Sequence, residues 1–425
     1  MAALYFKLSG GKRKQALAAA TQTGTGACNP VLLRAAEEGA VLLKNDGTLP
    51  VDRIALFGRG QIETVYSGCG SGGDVIPLHK INILQGLEGQ EGVTLSKQLK
   101  DAYRVYCKKH PVKQGGWGSW AFSVKEPPIK KALVKKVAKE FDTAVVVISR
   151  TAGEDRDCEA KEGSYYLSKG ERKLLSSVRE AFKKVAVVLN TGNLMDLSFL
   201  DEYNINAALL IWQGGMEGGE ACARLLCGKA NPCGKLPATV AKNYEDYPSS
   251  KYFGGLEYSE YREDIYVGYR YFTTFAPHLV RYPFGFGLSY TSFSHSFAGE
   301  LNERGGRVCA RVKNTGEHAG KEVIQLYLQK PNQTLNQPAR ELVAFQKTGE
   351  IEAGGEEELE LCFSAREMCS YDEERSAFVL TAGEYTLYAG GDCLSAQKVC
   401  SFVLGEEIIF ETLQERGAPR VSVPI

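Results

Sequence analysis

One glutamate, Glu154, stands where a carboxyl group could act as an acid or a base. It lies in the loop Arg150–Asp157 (RTAGEDRD), directly after the apolar run Thr143–Ser149 (TAVVVIS). General acid–base catalysis needs a carboxyl group within reach of the reacting atoms, and a loop after a buried strand can deliver one. Taken alone, however, a loop glutamate is more often simply solvated.

A second loop, Gly58–Val75 (GRGQIETVYSGCGSGGDV), is unusually rich in glycine and follows the apolar run Arg53–Phe57. Its Gly58-x-Gly60 pair resembles the start of a dinucleotide fingerprint, but Glu63 stands where the third glycine is required. A nucleotide-binding, flavodoxin-like protein is therefore disfavoured. The glycines favour a flexible loop that approaches a ligand or another domain closely. An ordinary surface loop remains the alternative.

These loops are predicted to share one edge of a sheet. Short apolar runs rich in β-branched residues indicate strands that are covered on both faces. They are Arg53–Phe57, Thr143–Ser149, Val185–Asn190 and Ala207–Trp212. Helical segments lie between them, including Ser168–Lys183 with a Ser168/Glu171 capping box and Glu217–Leu226 with Gly228 as its C-cap. Strand–helix alternation predicts an α/β fold, an αβα sandwich with a mostly parallel sheet.

The pattern changes near Tyr290 to strictly alternating strands between Gly- and Asn-rich turns. The runs are Arg307–Lys313, Glu322–Gln329, Leu342–Lys347, Glu358–Phe363, Glu384–Ala389 and Lys398–Leu404. They predict an all-β sandwich that is similar to a fibronectin type III domain. The segment Tyr247–Tyr290 between the two halves is rich in Tyr, Phe, Pro and Gly, so we expect it to pack rather than to behave as a free linker.

Composition excludes several functional classes. Lys+Arg and Asp+Glu are equal at 51 each, which gives no electrostatic basis for binding nucleic acid or an anionic membrane. The basic run Lys130–Lys136 is expected to be a solvated helix face. No apolar stretch is long enough to span a bilayer. At the N-terminus the basic residues follow the apolar ones, the reverse of a secretory signal, so we expect a cytoplasmic protein.

The 12 cysteines are dispersed, and no pair has the C-x-x-C spacing of a zinc or redox site. We expect them to be reduced and to pack as small hydrophobic residues. No metal and no cofactor are predicted.

Several long segments, taken in order, resemble glycoside hydrolase family 3. They are AAEEGAVLLKNDGTLP (35–50), ALFGRGQIETVYSGCGSGGDV (55–75), RTAGEDRD…GSYYLSKGERKLL (150–175), LNTGNLMDLSFL (189–200), IWQGGMEGGEACARLLCGKANPCGKLPATV (211–240), DIYVGYRYF (264–272) and RYPFGFGLSYTSF (281–293). The likeness covers about 35–410. It is specifically to the αβα-sandwich domain and the fibronectin type III-like domain that follows it.

The resemblance implies a retaining, exo-acting glycosidase of the β-glucosidase type, acting on a β-linked oligosaccharide or an aryl or alkyl glycoside. In the family, an aspartate nucleophile lies on a (β/α)₈ barrel and the acid/base glutamate lies in a Gly-Glu-Gly type loop of the αβα domain. Glu154 matches that glutamate, although the loop here is shorter. The resemblance makes Ser67, Ser71 and Asp74 candidates for binding sugar hydroxyls, together with Arg156 from the acid/base loop.

The domain boundaries that follow are an N-terminal extension (1–34), the αβα sandwich (35–245), a packed linker (246–290), the fibronectin type III-like domain (291–408) and a C-terminal tail (409–425). The order resembles the reversed-order branch of the family, in which the barrel follows the β-sandwich. A barrel needs about 250 residues, and the matched segments leave no room for it in this sequence. We therefore expect a barrel to be needed for activity, and three interpretations stay open: a truncated gene, a fragment of a longer enzyme, or one half of a split enzyme with a separate barrel polypeptide. A non-catalytic carbohydrate-binding or protein-interaction module is the alternative function.

Overall fold

The structure is a computed structural model of the 425-residue chain, and it describes residues 30–70, 73, 75, 77–112, 123–154, 158–254, 257, 258 and 260–413. The chain divides into two compact units. The first runs through Lys235 and adds Lys242–Tyr244 and Gly287–Tyr290. The second comprises Leu236–Ala241, Glu245–Phe286 and the chain from Thr291 onward.

The first unit is built on a six-stranded sheet with helices between its strands. Its elements, in chain order, are α1 (Pro30–Gly39), β1 (Val41–Asn45), β2 (Arg53–Phe57), α2 (Ile83–Glu88), β3 (Thr94–Leu95), α3 (Lys97–Lys109), α4 (Lys131–Val137), β4 (Thr143–Arg150), α5 (Lys169–Ala181), β5 (Lys184–Thr191), α6 (Phe199–Glu202), β6 (Ala207–Leu210) and α7 (Gly218–Leu226). The strand order is β1-β6-β5-β4-β2-β3, and only β1 runs antiparallel to its neighbour, β6. This arrangement confirms the predicted mostly parallel sheet.

Helices cover both faces of this sheet, which explains why its strands are continuously apolar. All eight residues of β4 are buried, as expected for a strand between two helical layers. On one face, α2 and α7 pack closely because both have a glycine at the contact: a Cβ on Gly86 would lie 2.3 Å from the carbonyl oxygen of Gly219. On the other face, Phe182 contacts Phe57 edge-on, with ring centroids 5.8 Å apart.

The predicted capping box of α5 and the basic helix face are confirmed, whereas the C-cap of α7 is Cys227 and not Gly228. Ser168 caps α5, and its hydroxyl and the Glu171 carboxylate form the reciprocal capping box. In α4 the lysines are exposed, whereas Val134 and Val137 are buried, so the basic run is a solvated face. The predicted strand Ala207–Trp212 ends earlier than expected, at Leu210. Trp212 instead adopts the left-handed region, with φ 52°.

The second unit is an antiparallel β-sandwich with smaller accessory sheets. Its elements are β7 (Val240–Ala241), α8 (Tyr269–Phe275), β8 (Val280–Tyr282), β9 (Phe293–Asn302), β10 (Gly305–Asn314), β11 (Val323–Gln329), β12 (Glu341–Lys347), β13 (Glu356–Ser364), α9 (Ala365–Met368), β14 (Ser370–Asp372), β15 (Ala377–Leu380), β16 (Gly383–Gly390), β17 (Gln397–Leu404) and β18 (Ile408–Thr412). Sheets β13-β10-β9 and β12-β11-β16-β17 share one apolar core. The predicted sandwich is thereby confirmed.

The segment between the α/β and all-β halves of the sequence is partly buried within the second unit. Phe272 of α8 is 1% exposed and forms a small core with Ala241 and Ala276. The described part of the chain contains no helix that is long and apolar enough to cross a membrane. None of the eleven cysteines that the structure describes forms a disulfide.

Candidate active site

The predicted acid/base residue, Glu154, is exposed and lies four residues beyond the end of β4. It stands at the edge of the sheet where parallel strands end, which is where α/β sheets bind ligands. Ser67, from the glycine-rich loop, is half-buried. The other three predicted site residues, Ser71, Asp74 and Arg156, lie outside the described residues.

The acid/base loop and the glycine-rich loop are joined through their backbones. Cys69 and Gly153 form an isolated parallel bridge, and the Cys69 N–H donates to the carbonyl of Ala152 at 2.9 Å. Gly153 has a φ of 148°, and a Cβ there would lie 2.3 Å from the Cys69 carbonyl oxygen. A side chain at this position would therefore separate the two loops.

Gly70 completes this junction next to the candidate catalytic carboxyl group. Its φ is 93°, and a Cβ built on it would lie 2.5 Å from the Cβ of Glu154. The glycine thus allows the loop backbone to pass directly beside Glu154. The structure therefore brings Glu154 together with the loop that carries Ser67, as the sequence predicted.

Gly58 and Gly60 have a different role from the one expected. A Cβ on Gly58 would lie 2.1 Å from the carbonyl oxygen of Val147, and one on Gly60 would lie 2.1 Å from the Ser149 hydroxyl. Both glycines thus pack against β4, inside the first unit. The Gly-x-Gly pair reflects close packing at the end of β2 and not a flexible approach to a ligand.

Asn190 is the residue that ties this edge of the sheet together, and sequence reasoning did not single it out. It is 0% exposed near the end of β5. Its Oδ1 accepts hydrogen bonds from the Val65 N–H at 2.7 Å and the Ser149 hydroxyl at 3.2 Å. Its Nδ2 donates to the carbonyls of Val65 at 2.8 Å and Trp212 at 2.6 Å. One side chain therefore joins the loop after β2, the end of β4 and the residues after β6.

A second side-chain amide, that of Gln213 in the loop after β6, contacts the acid/base loop. The Gln213 Nε2 donates to the carbonyl of Ala152 at 3.3 Å, and the Gly215 N–H donates to the carbonyl of Tyr66 at 2.9 Å. The loop after β6 therefore contacts both of the other loops. The signal in the sequence was the placement of polar residues directly after each apolar strand.

Arg150 connects the end of β4 to the segment that follows the acid/base loop. It is 3% exposed at the end of β4 and makes a bidentate ion pair with Glu171, at 2.6 and 2.9 Å. It also donates to the carbonyls of Ser164 at 2.8 Å and Tyr166 at 3.2 Å. A buried charge needs a partner of opposite sign, and Glu171, already identified as the capping-box residue of α5, provides it.

A buried carboxyl group, Glu126, holds the start of the glycine-rich loop. Its Oε1 accepts the Arg59 N–H at 2.8 Å, and it is 9% exposed. Burial raises the pKa of Glu126 to about 8, opposed chiefly by the hydrogen bond from the Arg59 backbone. The Arg59 guanidinium donates to the carbonyl of Lys125 at 3.2 Å and to that of His110.

At the opposite side of the glycine-rich loop, Glu217 precedes α7 and is 0% exposed. Its Oε1 lies 2.8 Å from the Nε2 of His79. This contact links the end of the loop region to the helix that packs against α2. Sequence reasoning placed Glu217 at the helix start but did not foresee its partner.

The fold and this edge define a class of protein: an αβα sandwich that presents a loop glutamate, followed by a fibronectin type III-like sandwich. Comparison with known families agrees with that description. The model described as glycosyl hydrolase family 3 C-terminal domain matches residues 40–290, and the fibronectin type III-like domain model matches residues 322–393. The chain therefore belongs to glycoside hydrolase family 3.

Similar proteins carry the name β-glucosidase. A beta-glucosidase of Ruminococcus albus is 44% identical over 92% of this chain and 42% of its own length. A crystal structure of a beta-glucosidase from Paenibacillus barengoltzii has a TM-score of 0.87 at 40% identity, over 90% of this chain and 44% of that one. Beta-glucosidase 3B from Thermotoga neapolitana, in complex with α-D-glucose, has a TM-score of 0.83 at 37% identity, over 89% and 54%. The chain thus spans about half the length of these relatives.

Proposed function

We propose that this chain supplies the acid/base glutamate, Glu154, of a retaining β-glucosidase-like glycoside hydrolase. One observation carries the proposal: Glu154 is exposed at the ligand-binding edge of the sheet, and its backbone is fixed there against the glycine-rich loop by the Cys69–Gly153 bridge. A carboxyl group that is both accessible and held by its backbone is suited to proton transfer, which depends on position first.

The proposed reaction has two steps, and Glu154 acts as an acid in the first and as a base in the second. In the first, a second carboxylate attacks the anomeric carbon and forms a glycosyl–enzyme ester. The bond from that carbon to the glycosidic oxygen breaks, and the Glu154 carboxyl gives its proton to this oxygen, so the aglycone leaves as an alcohol. In the second, the Glu154 carboxylate takes a proton from the water that hydrolyses the ester. Retention of configuration requires the two carboxyl groups to lie about 5–5.5 Å apart.

The nucleophile is proposed to come from a (β/α)₈ barrel of the same family, outside these 425 residues. The family relationship supports a nucleophile on a further domain, since the matched relatives are about twice as long as this chain. Ser67, Ser71, Asp74 and Arg156 are proposed to contact the hydroxyls of a β-linked glucoside. Arg150 pairs with Glu171 and Asn190 binds the Val65 backbone, so both loops are attached to the sheet.

The test compares leaving groups, because a good leaving group departs without protonation. The chain is combined with a family 3 barrel as a second polypeptide and assayed on aryl β-glucosides of decreasing leaving-group acidity. Glu154→Gln is expected to lose about 10²–10⁴-fold in kcat/KM on alkyl and poor aryl glucosides. It should lose far less on a dinitrophenyl glucoside.

Two controls sharpen this experiment. Glu159→Gln, an exposed carboxyl five residues further along the chain, should leave every substrate unaffected. The chain alone should not hydrolyse any of them. Substantial turnover by the chain alone that Glu154→Gln abolishes would refute the need for a second part. An equal loss on all leaving groups would refute the acid role.

A further inference from the structure

The second unit contains a cleft that the proposed catalytic function does not use. Its volume is about 580 Å³, within the range of about 300–1,000 Å³ that is typical of small-molecule sites. Three segments form it: Asp264–Arg270, Lys330–Glu341 and Cys369–Glu374. All three belong to the second unit, whereas Glu154 belongs to the first.

One wall of the cleft carries two cationic side chains around a single carboxylate. Glu341 pairs with Lys330 at 2.9 Å through Oε2 and with Arg270 at 3.2 Å through Oε1. The Lys330 side chain is 5% exposed and also donates to the carbonyl of Cys369 at 2.7 Å. These contacts fix the position of both cations.

The Arg270 guanidinium has an unused donor. Its Nε is buried and has no hydrogen-bond acceptor among the residues that the structure describes. A buried donor without an acceptor is energetically unfavourable. Arg270 lines the cleft and its side chain is 37% exposed, so a ligand in the cleft lies against this side chain.

Another segment of the lining supplies acceptors. Asp372 is 8% exposed, and Arg375 holds its carboxylate through a backbone N–H at 3.1 Å and the guanidinium Nε at 2.6 Å. Glu373 and Glu374 follow it and are exposed. In all, five acidic and two basic side chains line the cleft, so its charge is unfavourable for an anionic ligand.

An aromatic ring completes the lining. Tyr371 of β14 is 43% exposed and contacts Phe378 of the neighbouring strand, with ring centroids 5.1 Å apart. An anchored, partly exposed tyrosine provides a rigid apolar surface beside polar groups. A pyranose has the matching chemistry: an apolar C–H face, with hydroxyls around its edge that both donate and accept.

We propose that this cleft is a second carbohydrate-binding site, specific for a neutral saccharide. Sugar hydroxyls accept from Arg270 and Lys330 and donate to the carboxylates of the lining, while the apolar face of one ring packs on Tyr371. Phosphorylated or carboxylated sugars are excluded by the excess of acidic side chains. The site would hold a saccharide on the fibronectin type III-like unit, independently of catalysis.

The test is calorimetric titration of the full chain with cellotriose and with its singly oxidised aldonate. Cellotriose is expected to bind, and the aldonate to bind at least tenfold more weakly. Tyr371→Ala should weaken cellotriose binding at least tenfold at an unchanged melting temperature. The matched control is Phe345→Ala on β12, an aromatic residue that is 69% exposed and not part of the cleft lining; it should bind as the unaltered chain does.

Two further variants locate the binding. Arg270→Lys keeps the charge but removes the planar guanidinium and its several donors, and should weaken binding several-fold. Glu154→Ala should leave binding unchanged, which separates this site from the proposed catalytic one. The proposal is overturned if cellotriose does not bind the folded chain, if the aldonate binds equally well, or if Tyr371→Ala binds normally.

Discussion

The clearest consequence of the buried carboxyl group concerns stability as a function of pH. Burial raises the pKa of Glu126 from its ordinary value of 4.5 to about 8, so the folded chain holds this proton more tightly than the unfolded chain. The free energy of unfolding should therefore fall as pH rises from about 4.5 to about 8, and Glu126 should contribute no further change above that pH.

The magnitude follows from the size of the displacement. At about 1.36 kcal/mol per pH unit, the full change corresponds to roughly 5 kcal/mol, of which about 2–3 kcal/mol falls between pH 5 and pH 7. Glu126→Gln removes the titration but keeps an oxygen to accept the Arg59 N–H. The difference in unfolding free energy between the variant and the parent should therefore grow by that amount, in favour of the variant, from pH 5 to pH 7.

Urea unfolding followed by tryptophan fluorescence measures this effect in the first unit, to which Glu126 belongs. The three tryptophans are Trp117, Trp120 and Trp212, and the segments of the second unit contain none in their sequence. Glu140→Gln is the matched control, an exposed glutamate in the same unit; it should follow the pH dependence of the parent. A Glu126→Gln curve parallel to that of the parent would show that this carboxyl is not the group that titrates.

Two further substitutions test the architecture of the loops. Asn190→Ala leaves the polar groups of the Val65 backbone and the Trp212 carbonyl without their partner. We therefore expect a loss of about 2–4 kcal/mol in unfolding free energy and faster amide hydrogen exchange at Val65. Unchanged exchange at Val65 would contradict the role of Asn190 in holding the loops. Gly58→Ala places a Cβ against Val147 at a φ of 92° and should cost about 3 kcal/mol or more. Gly47→Ala, at a φ of 89° with no atom within 4 Å, should cost only about 1 kcal/mol, and equal losses at both glycines would show that the contact is unimportant.

Much of the fold was predictable because burial dictates residue type along whole elements. The central residues of β2, β4 and β5 are continuously apolar, since helices cover both faces of the sheet. The alternation in β10 and β13 follows from one solvated face. The strand β9 was not predicted, because its short polar residues obscure the alternation. The early end of β6 was also missed, since nothing local in the sequence indicates that Trp212 takes a positive φ.

The candidate site was predictable only in part, since its residues meet through tertiary contacts. The position of Glu154 after a strand could be read from the sequence, and so could the neighbouring loops. The hydrogen bonds of Asn190 join segments 22 to 125 residues apart, and no local pattern encodes such distances. The proximity of Gly70 to Glu154 likewise depends on how the two loops cross.

The most direct test of the central claim is chemical rescue of Glu154→Ala by azide, in the chain combined with a family 3 barrel. A dinitrophenyl β-glucoside forms the glycosyl–enzyme ester without a general acid, and azide attacks that ester without a general base. The account predicts that azide accelerates turnover and that the product is β-glucosyl azide, identified by NMR. Turnover that azide does not change, or glucose as the only product, would contradict the assignment of Glu154 as the acid/base residue.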